Sequence, residues 1–306
     1  MPRLVVIGSS NTDMVVKSER MPGGGETVLG GEFVMVPGGK GANQAVCAAK
    51  LGADVALVAR IGSDVFGDRS LENFTSAGID TRFVTRDSAA PSGVALIVVD
   101  ANGENAIVVA PGANLCLTPE DVDKARDAIA EADAVVLQLE IPAETVAHTI
   151  NLAHKLGVKV ILNPAPIRPM SKELLAKVDV LVPNQHEAAD LLGRTGEGRD
   201  IDAPTAAREL MAFGTESVVI TLGGEGAYVC GQGASEFVPP MKVTPVDTTA
   251  AGDAFTASLA CALAEGKALT EAARFAARVA AISVTRMGAQ PSLPTRDEVE
   301  SYVFGN

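Results

Sequence analysis

From about residue 120 onward, apolar positions fall in short runs at 134–139, 158–162, 180–182 and 218–222, and these alternate with helical periodicity at 143–156, 171–177, 184–192 and 204–213. Runs of Val, Ile and Leu without polar alternation are what strands need when helices cover both faces of a parallel sheet. The pattern predicts an α/β fold with a doubly wound, mostly parallel sheet. It closes on helices at about 252–265, 270–285 and 295–303.

The first third has a different texture. Strand-like runs at 14–17, 27–36, 93–100 and 105–110 are separated by turn chemistry such as Ala101-Asn102-Gly103-Glu104, with no helix inside either pair. They predict a small antiparallel sheet built from two separate stretches, about 14–36 and 93–110, as an excursion from the main sheet. The polar, glycine-rich stretch 193–204 reads as a surface loop. Without internal repeats or a long linker, residues 1–306 read as one domain.

Composition narrows the function. At 306 residues and 47% hydrophobic content the chain can bury a large core, and no apolar run reaches the ~18–20 residues of a membrane span. The start enters a strand at once and lacks the layout of a signal peptide, so a cytoplasmic protein is expected. Cys47, Cys116, Cys230 and Cys261 are scattered and read as reduced thiols, and His148, His154 and His186 lack metal-ligand spacing. A formal charge of −13 argues against a nucleic-acid partner. Any phosphate-bearing ligand must therefore be held by local N–H groups, a few cations and metal ions against an unfavourable overall field.

The most informative chemistry is at Asp247-Thr-Thr-Ala-Ala-Gly-Asp-Ala-Phe255. Small residues at Ala250, Ala251 and Gly252 let backbone N–H groups converge on an anion at a helix start. Asp253 would face that anion, either as a base for a substrate hydroxyl or simply as the helix N-cap. A second stretch, Pro37-Gly-Gly-Lys-Gly-Ala-Asn-Gln-Ala45, fails as a Walker A loop because Val34 and Gly41 hold the positions that need Gly and Ser or Thr. What remains is close backbone approach at Gly38, Gly39 and Gly41, with donors from Lys40 and Asn43, or a plain glycine turn before a helix. Asn11 and Asp13 follow the first strand and Glu140 follows another, at carboxyl ends where α/β sheets bind ligands. Amides and carboxylates with little positive charge suit a neutral polyhydroxylated ligand. Asn184 and Glu187 have capping-box spacing, and the segment at 221–226 is either a hairpin turn or a glycine-lined wall for a nucleotide.

Taken together these stretches resemble the PfkB-type carbohydrate kinases, and within them the ribokinase group, along essentially the whole chain. The 38–45 and 247–255 segments match the two family signatures. Asn163-Pro-Ala-Pro166, Asn184-x-x-Glu187, Thr221-Leu-Gly-x-x-Gly226 and Thr285-Arg-x-Gly-Ala-Gln-Pro-Ser292 fall in the matching order. The resemblance implies ATP-dependent phosphorylation of D-ribose at its 5-hydroxyl. Asn11, Thr12, Asp13, Gly39, Lys40, Gly41, Ala42, Asn43 and Glu140 would hold the sugar, and Asp253 would be the base. The N–H groups of Ala250, Ala251, Gly252 and Asp253 would form an anion hole. Asn184, with Thr221, Leu222, Gly223, Gly224, Glu225 and Gly226, would bind ATP alongside Gly252 and Asp253. Glu187 would act on Mg2+ through water. A potassium or other monovalent cation would be held by the side chains of Asp247 and Ser292 and the carbonyls of Thr249, Ser283, Arg286 and Gly288. The small sheet would be a lid that also pairs two copies into a homodimer. One departure is Ala277, where some ribokinases carry a histidine near the adenine.

Overall fold

The computed structural model describes residues 1–194 and 201–305, so residues 195–200 of the expected 193–204 loop lie outside the described residues. The chain runs β1 (Arg3–Ile7), β2 (Asn11–Lys17), β3 (Phe33–Gly38), α1 (Lys40–Lys50), β4 (Asp54–Gly62), α2 (Val65–Ser76), β5 (Val84–Asp87), β6 (Gly93–Val99) and β7 (Asn105–Ala110). The short helices α3 (Pro119–Asp123) and α4 (Arg126–Ala130) lead into β8 (Ala134–Leu137), α5 (Ala143–Leu156), β9 (Lys159–Leu162), α6 (Lys172–Leu175), β10 (Val180–Leu181), α7 (Gln185–Leu191) and α8 (Ala203–Met211). β11 (Ser217–Thr221), β12 (Ala227–Gly231), β13 (Ala234–Val238), α9 (Ala251–Ala264), α10 (Leu269–Ser283) and α11 (Arg296–Ser301) complete it. No helix among the described residues is long and apolar enough to cross a membrane.

Among the described residues the main sheet has nine strands in the order β13-β12-β11-β10-β9-β8-β1-β4-β5, parallel except for the β11-β12-β13 edge. Its strands read as unbroken apolar runs because successive residues feed two cores. In β1, Leu4 and Val6 join the layer under α1, α9 and α10, while Val5 and Ile7 join the layer under α4, α5 and α8. The chain leaves β1 for β4 on one side and later returns to β8 on the other. That reversal opens a crevice at the strands' carboxyl ends. The sequence pattern passes over β4, α2 and β5, which extend the main sheet between the two hairpins.

The small sheet has the order β3-β2-β6-β7. Each hairpin is antiparallel, and the two join through a parallel pairing of β2 with β6. The parallel pairing is possible because β2 follows β1 and β6 follows β5, two parallel strands of the main sheet, so both leave its carboxyl end. The predicted strand at 27–36 starts only at Phe33. Gly30 and Gly31 break it, since glycine in a strand interior has no side chain to pack and a large entropy to lose.

Helices α1 and α9 pack together at the centre. Residues 41–48 of α1 and 253–263 of α9 are all buried. Their alanines bring the backbones so close that Cys47 Sγ lies 3.8 Å from the Ala254 carbonyl and Cys261 Sγ 4.0 Å from that of Ala48. The polar groups of both amino-terminal turns thereby face one another across the crevice.

Candidate active site

Asp253 is 5% exposed and sits in the first turn of α9. It is not the cap. The N-cap position belongs to Ala250, whose φ of 61° places an alanine in the left-handed region. The Asp253 carboxylate instead turns away from its own helix: Oδ2 accepts from Asn43 Nδ2 at 2.9 Å and Oδ1 from Gln44 Nε2 at 3.0 Å. Burial pushes its pKa up, against the opposing pull of the Lys40 ammonium and the Asn43 and Gln44 hydrogen bonds.

Around it the structure gathers the other candidates. Gly39 caps α1 with φ 87°, and a side chain there would strike the backbone N–H of Asn11, so the turn lies directly against the start of β2. Gly41 packs on Gly8, and the Ala42 N–H donates to the Ser9 carbonyl at 2.8 Å. These two residues therefore serve the site through backbone packing. The Glu140 carboxylate accepts from the Lys40 N–H at 3.1 Å and from the Ser9 hydroxyl at 2.5 Å, so the α1 amino terminus is filled by the protein's own anion.

Asn11, Thr12 and Asp13 are buried at the root of β2. Asn11 Oδ1 accepts from Asn114 Nδ2 at 2.7 Å, and Asn114 in turn accepts from the Ser10 N–H at 2.8 Å. Among the described residues no donor reaches the Asp13 carboxylate. Its pKa is pushed up to about 6, by burial first and then by the charges of Glu140 and Asp253. Three carboxylates, Asp253, Glu140 and Glu187, act on Lys40. Burial alone would lower the Lys40 pKa, but Asp253, Glu140 and Glu187 outweigh it and the net shift is upward.

On the other side of Asp253, a cavity of about 230 Å³ is lined by Lys40, Asn184, Glu187, Thr221 and residues 250–253. Asn184 and Glu187 form the expected reciprocal capping box, with each backbone N–H held at 2.8 Å by the other's side chain. The Glu187 carboxyl nonetheless faces the cavity, and burial raises its pKa. The Ala251 N–H is turned to the Thr248 carbonyl at 3.2 Å, whereas those of Gly252 and Asp253 have no backbone acceptor among the described residues. A Cβ at Gly252 would meet nothing within 4 Å. Glycine there is not required by packing or by φ.

A neighbouring cavity of about 410 Å³ shares Thr221, Thr248, Ala251 and Gly252 and is otherwise mostly apolar, with Val243, Phe255 and Ala277 among its walls. Its glycine wall is the β11-β12 turn, so the hairpin and wall readings of 221–226 describe one object. Leu222 is in the core, and neither it nor Glu225 lines the cavity. Further along, Asp247 Oδ1 accepts from Thr249 and Oδ2 from the Gly288 N–H at 2.8 Å, while the Val246 N–H donates to the Val284 carbonyl at 2.7 Å. Segments 246–249 and 283–292 are therefore stitched side by side.

Sequence reasoning gave no role to Ser9, Asn114, Gln44 or Gln138. Each works through a partner 90 or more positions away, beyond the reach of any local pattern. The one readable signal was Gln44 beside Asn43 on a helix stretch otherwise made of small and apolar residues from Gly41 to Ala49.

Gly252→Ala should raise Tm slightly, since alanine favours a helix by up to ~1 kcal/mol, yet lower kcat about tenfold as its methyl enters the space beside the open N–H groups. Steady-state kinetics beside thermal unfolding would test this, and unaltered kcat would remove that turn from the chemistry.

A crevice at the strand carboxyl ends, a carboxylate between buried amides and open helix N–H groups, and an adjoining apolar cavity define a small-molecule phosphotransferase. The chain belongs to the pfkB family of carbohydrate kinases, whose pattern matches residues 1–296. It is 43% identical over 303 residues to a ribokinase of Bacillus subtilis, covering 99% of this chain and all of that one. It is 38% identical over 304 residues to a deoxyribokinase of Salmonella typhimurium, covering 99% of both. Among solved structures, the ribokinase of Arabidopsis thaliana complexed with ribose and ATP superposes with a TM-score of 0.88 at 36% identity, covering 98% of this chain and 97% of that one.

Proposed function

We infer that this protein is an ATP-dependent kinase that phosphorylates D-ribose at its 5-hydroxyl, giving ribose 5-phosphate and ADP. The observation that carries this reading is the position of Asp253, a buried carboxylate with an amide and carboxylate pocket on one side and the open N–H groups of Gly252 and its own backbone on the other. The sugar would occupy the pocket of Asn11, Asp13, Gly39, Asn43 and Glu140, where ionised carboxylates accept from hydroxyls and amides both donate and accept. The adenine would take the apolar cavity, with the phosphates pointing to the α9 turn.

Asp253 would take the proton of the primary hydroxyl as its oxygen attacks the γ-phosphorus, and the bond to the ADP oxygen breaks in line. Lys40 and the N–H groups would balance charge on the transferring group. Glu140, Glu187 and Asp253 around a single lysine leave an excess of negative charge that fits a divalent cation, and Glu187 would hold magnesium through water. When bound, magnesium supplies charge neutralisation at the phosphates. The adjoining 246–249 and 283–292 segments, with the Asp247 carboxylate and several carbonyls, fit a monovalent cation, which would order the loop before α9. Replacing potassium by a bulky organic cation should lower kcat about tenfold, equivalent to ~1.4 kcal/mol of barrier. Indifference to the cation would reject the site.

The small sheet reads as a lid over the sugar and as a dimer surface. Phe33, Met35, Leu96 and Val108 are exposed on one face of it, a concentration of apolar side chains that fits burial against a second copy. Light scattering should give a dimer, and Val108→Asp should shift it toward monomer; a monomeric parent would count against this surface. We place the enzyme in the cytoplasm, where its donor ATP is found.

The deciding assay is ADP release with magnesium, potassium and ATP across D-ribose, 2-deoxyribose, fructose and adenosine, with the phosphorylated position read by NMR. Preference for ribose with phosphate at the 5-position is the expected result. Preference for 2-deoxyribose would instead align the chain with its deoxyribokinase relative, and the absence of turnover would overturn the kinase reading.

A further inference from the structure

Behind the base lies a chain of buried amides. Gln138 Nε2 donates to Gln44 Oε1 at 2.5 Å, and Gln44 Nε2 donates to Asp253 Oδ1 at 3.0 Å. Both glutamines are fully buried. Because Gln138 occupies the Gln44 oxygen, the Gln44 amide can present only its NH2 group to Asp253. Asn163 stands alongside, with its Oδ1 3.5 Å from Gln44 Nε2 and its own Nδ2 donating to the Val182 carbonyl at 3.0 Å. Gln138 is itself wedged against the end of β1, where any side chain at Gly8 would collide with its oxygen. That oxygen has no partner among the described residues, an unfavourable arrangement to keep in a core built for stability alone.

We propose that Gln44, braced by Gln138, is the positioning residue for the base: with Asn43 on Oδ2 it fixes the plane of the Asp253 carboxylate so that its remaining lone pairs face the sugar hydroxyl. The proposal rests on the assignment of Asp253 as the base. Two fixed donors hold both oxygens, whereas one donor would leave the carboxylate free to rotate about its last bond. The donor also favours the ionised form. The charged groups around Asp253 are Lys40, Glu140, Glu187 and Asp13, and replacing Gln44 by methionine alters none of these residues.

The test is a paired variant, Gln44→Met with Gln138→Met, which removes both partners of the buried amide contact together and so leaves neither stranded. With saturating sugar and ATP, kcat at neutral pH should fall about tenfold, sugar KM should change by less than about threefold, and the acid limb of kcat should move up by about half a unit to one unit. A merely structural role would change Tm and leave that limb where it is. Gln44→Glu keeps the acceptor for Gln138 and puts a second carboxyl beside Asp253, so its limb should move further up, and it carries the test if the paired variant does not fold. A folded variant with parental kcat and an unmoved limb overturns the proposal. If Asp253→Asn is inactive at the same time, the base assignment stands and only the role of Gln44 falls; if Asp253→Asn turns over normally, both fall.

Discussion

Asp253→Asn is expected to lower kcat by at least about a hundredfold while sugar KM stays within a few-fold of the parent. The substitution keeps the shape of the side chain and removes its capacity to take a proton. Asn43 and Gln44 both point NH2 groups at this position, so the new amide can satisfy one of them and opposes the other. That local loss is offset by relief of a carboxylate whose burial already disfavours its charge. Fold and sugar pocket should therefore survive, and the loss should appear in turnover. Kinetics on purified variant with a circular-dichroism check of folding decides it; near-parental turnover would show that some other group takes the proton.

Asp13→Asn should move binding and stability in opposite directions. In the sugar-free protein Asp13 titrates near 6, above its ordinary value of 3.8. Between those values the folded chain holds more protons than the unfolded one, so this residue's contribution to stability falls as pH rises and its full penalty is present above about 6. Asparagine removes that penalty. At neutral pH the variant should be more stable by on the order of 2 kcal/mol, with the gain shrinking to nothing as pH falls toward 4. Sugar affinity should drop about a hundredfold, since hydroxyls lose a charged acceptor. For the parent, sugar affinity should strengthen as pH rises through about 6, because the ionised form accepts hydroxyl protons. Thermal unfolding and sugar titration across pH test both halves, and a variant that is less stable at neutral pH would contradict the unpartnered state of this carboxylate.

The doubly wound half of the fold was legible because Val160, Ile161, Leu162 and their counterparts are buried on both faces, which leaves runs that no other architecture explains. The two hairpins were legible from their turns, but how they join was not. The β2-β6 register depends on where each leaves the main sheet, a relation between segments about 80 residues apart. At the site, Gly39 and Gly41 announced themselves because close approach of one backbone to another leaves a local mark, and the Asp253 stretch because an acid among small residues at a helix start is unusual. Asn114 and Gln138 left none, since they act on side chains already chosen and look like any polar residue in a turn or at a strand end.

The small sheet and the proposed sugar pocket share a single rung. Asn11 pairs across with Gly38 on β3 and with Gly93 on β6, so β2 and β6 begin, and β3 ends, at the level of the buried Asn11 and Asp13. Burial along β2 is complete through Asp13 and loosens from Met14 outward. A lever anchored in this way cannot pivot at its base without disturbing its own grip. Any swing must flex beyond Met14, and a sugar seated at the root would stiffen the fulcrum from which the arm closes.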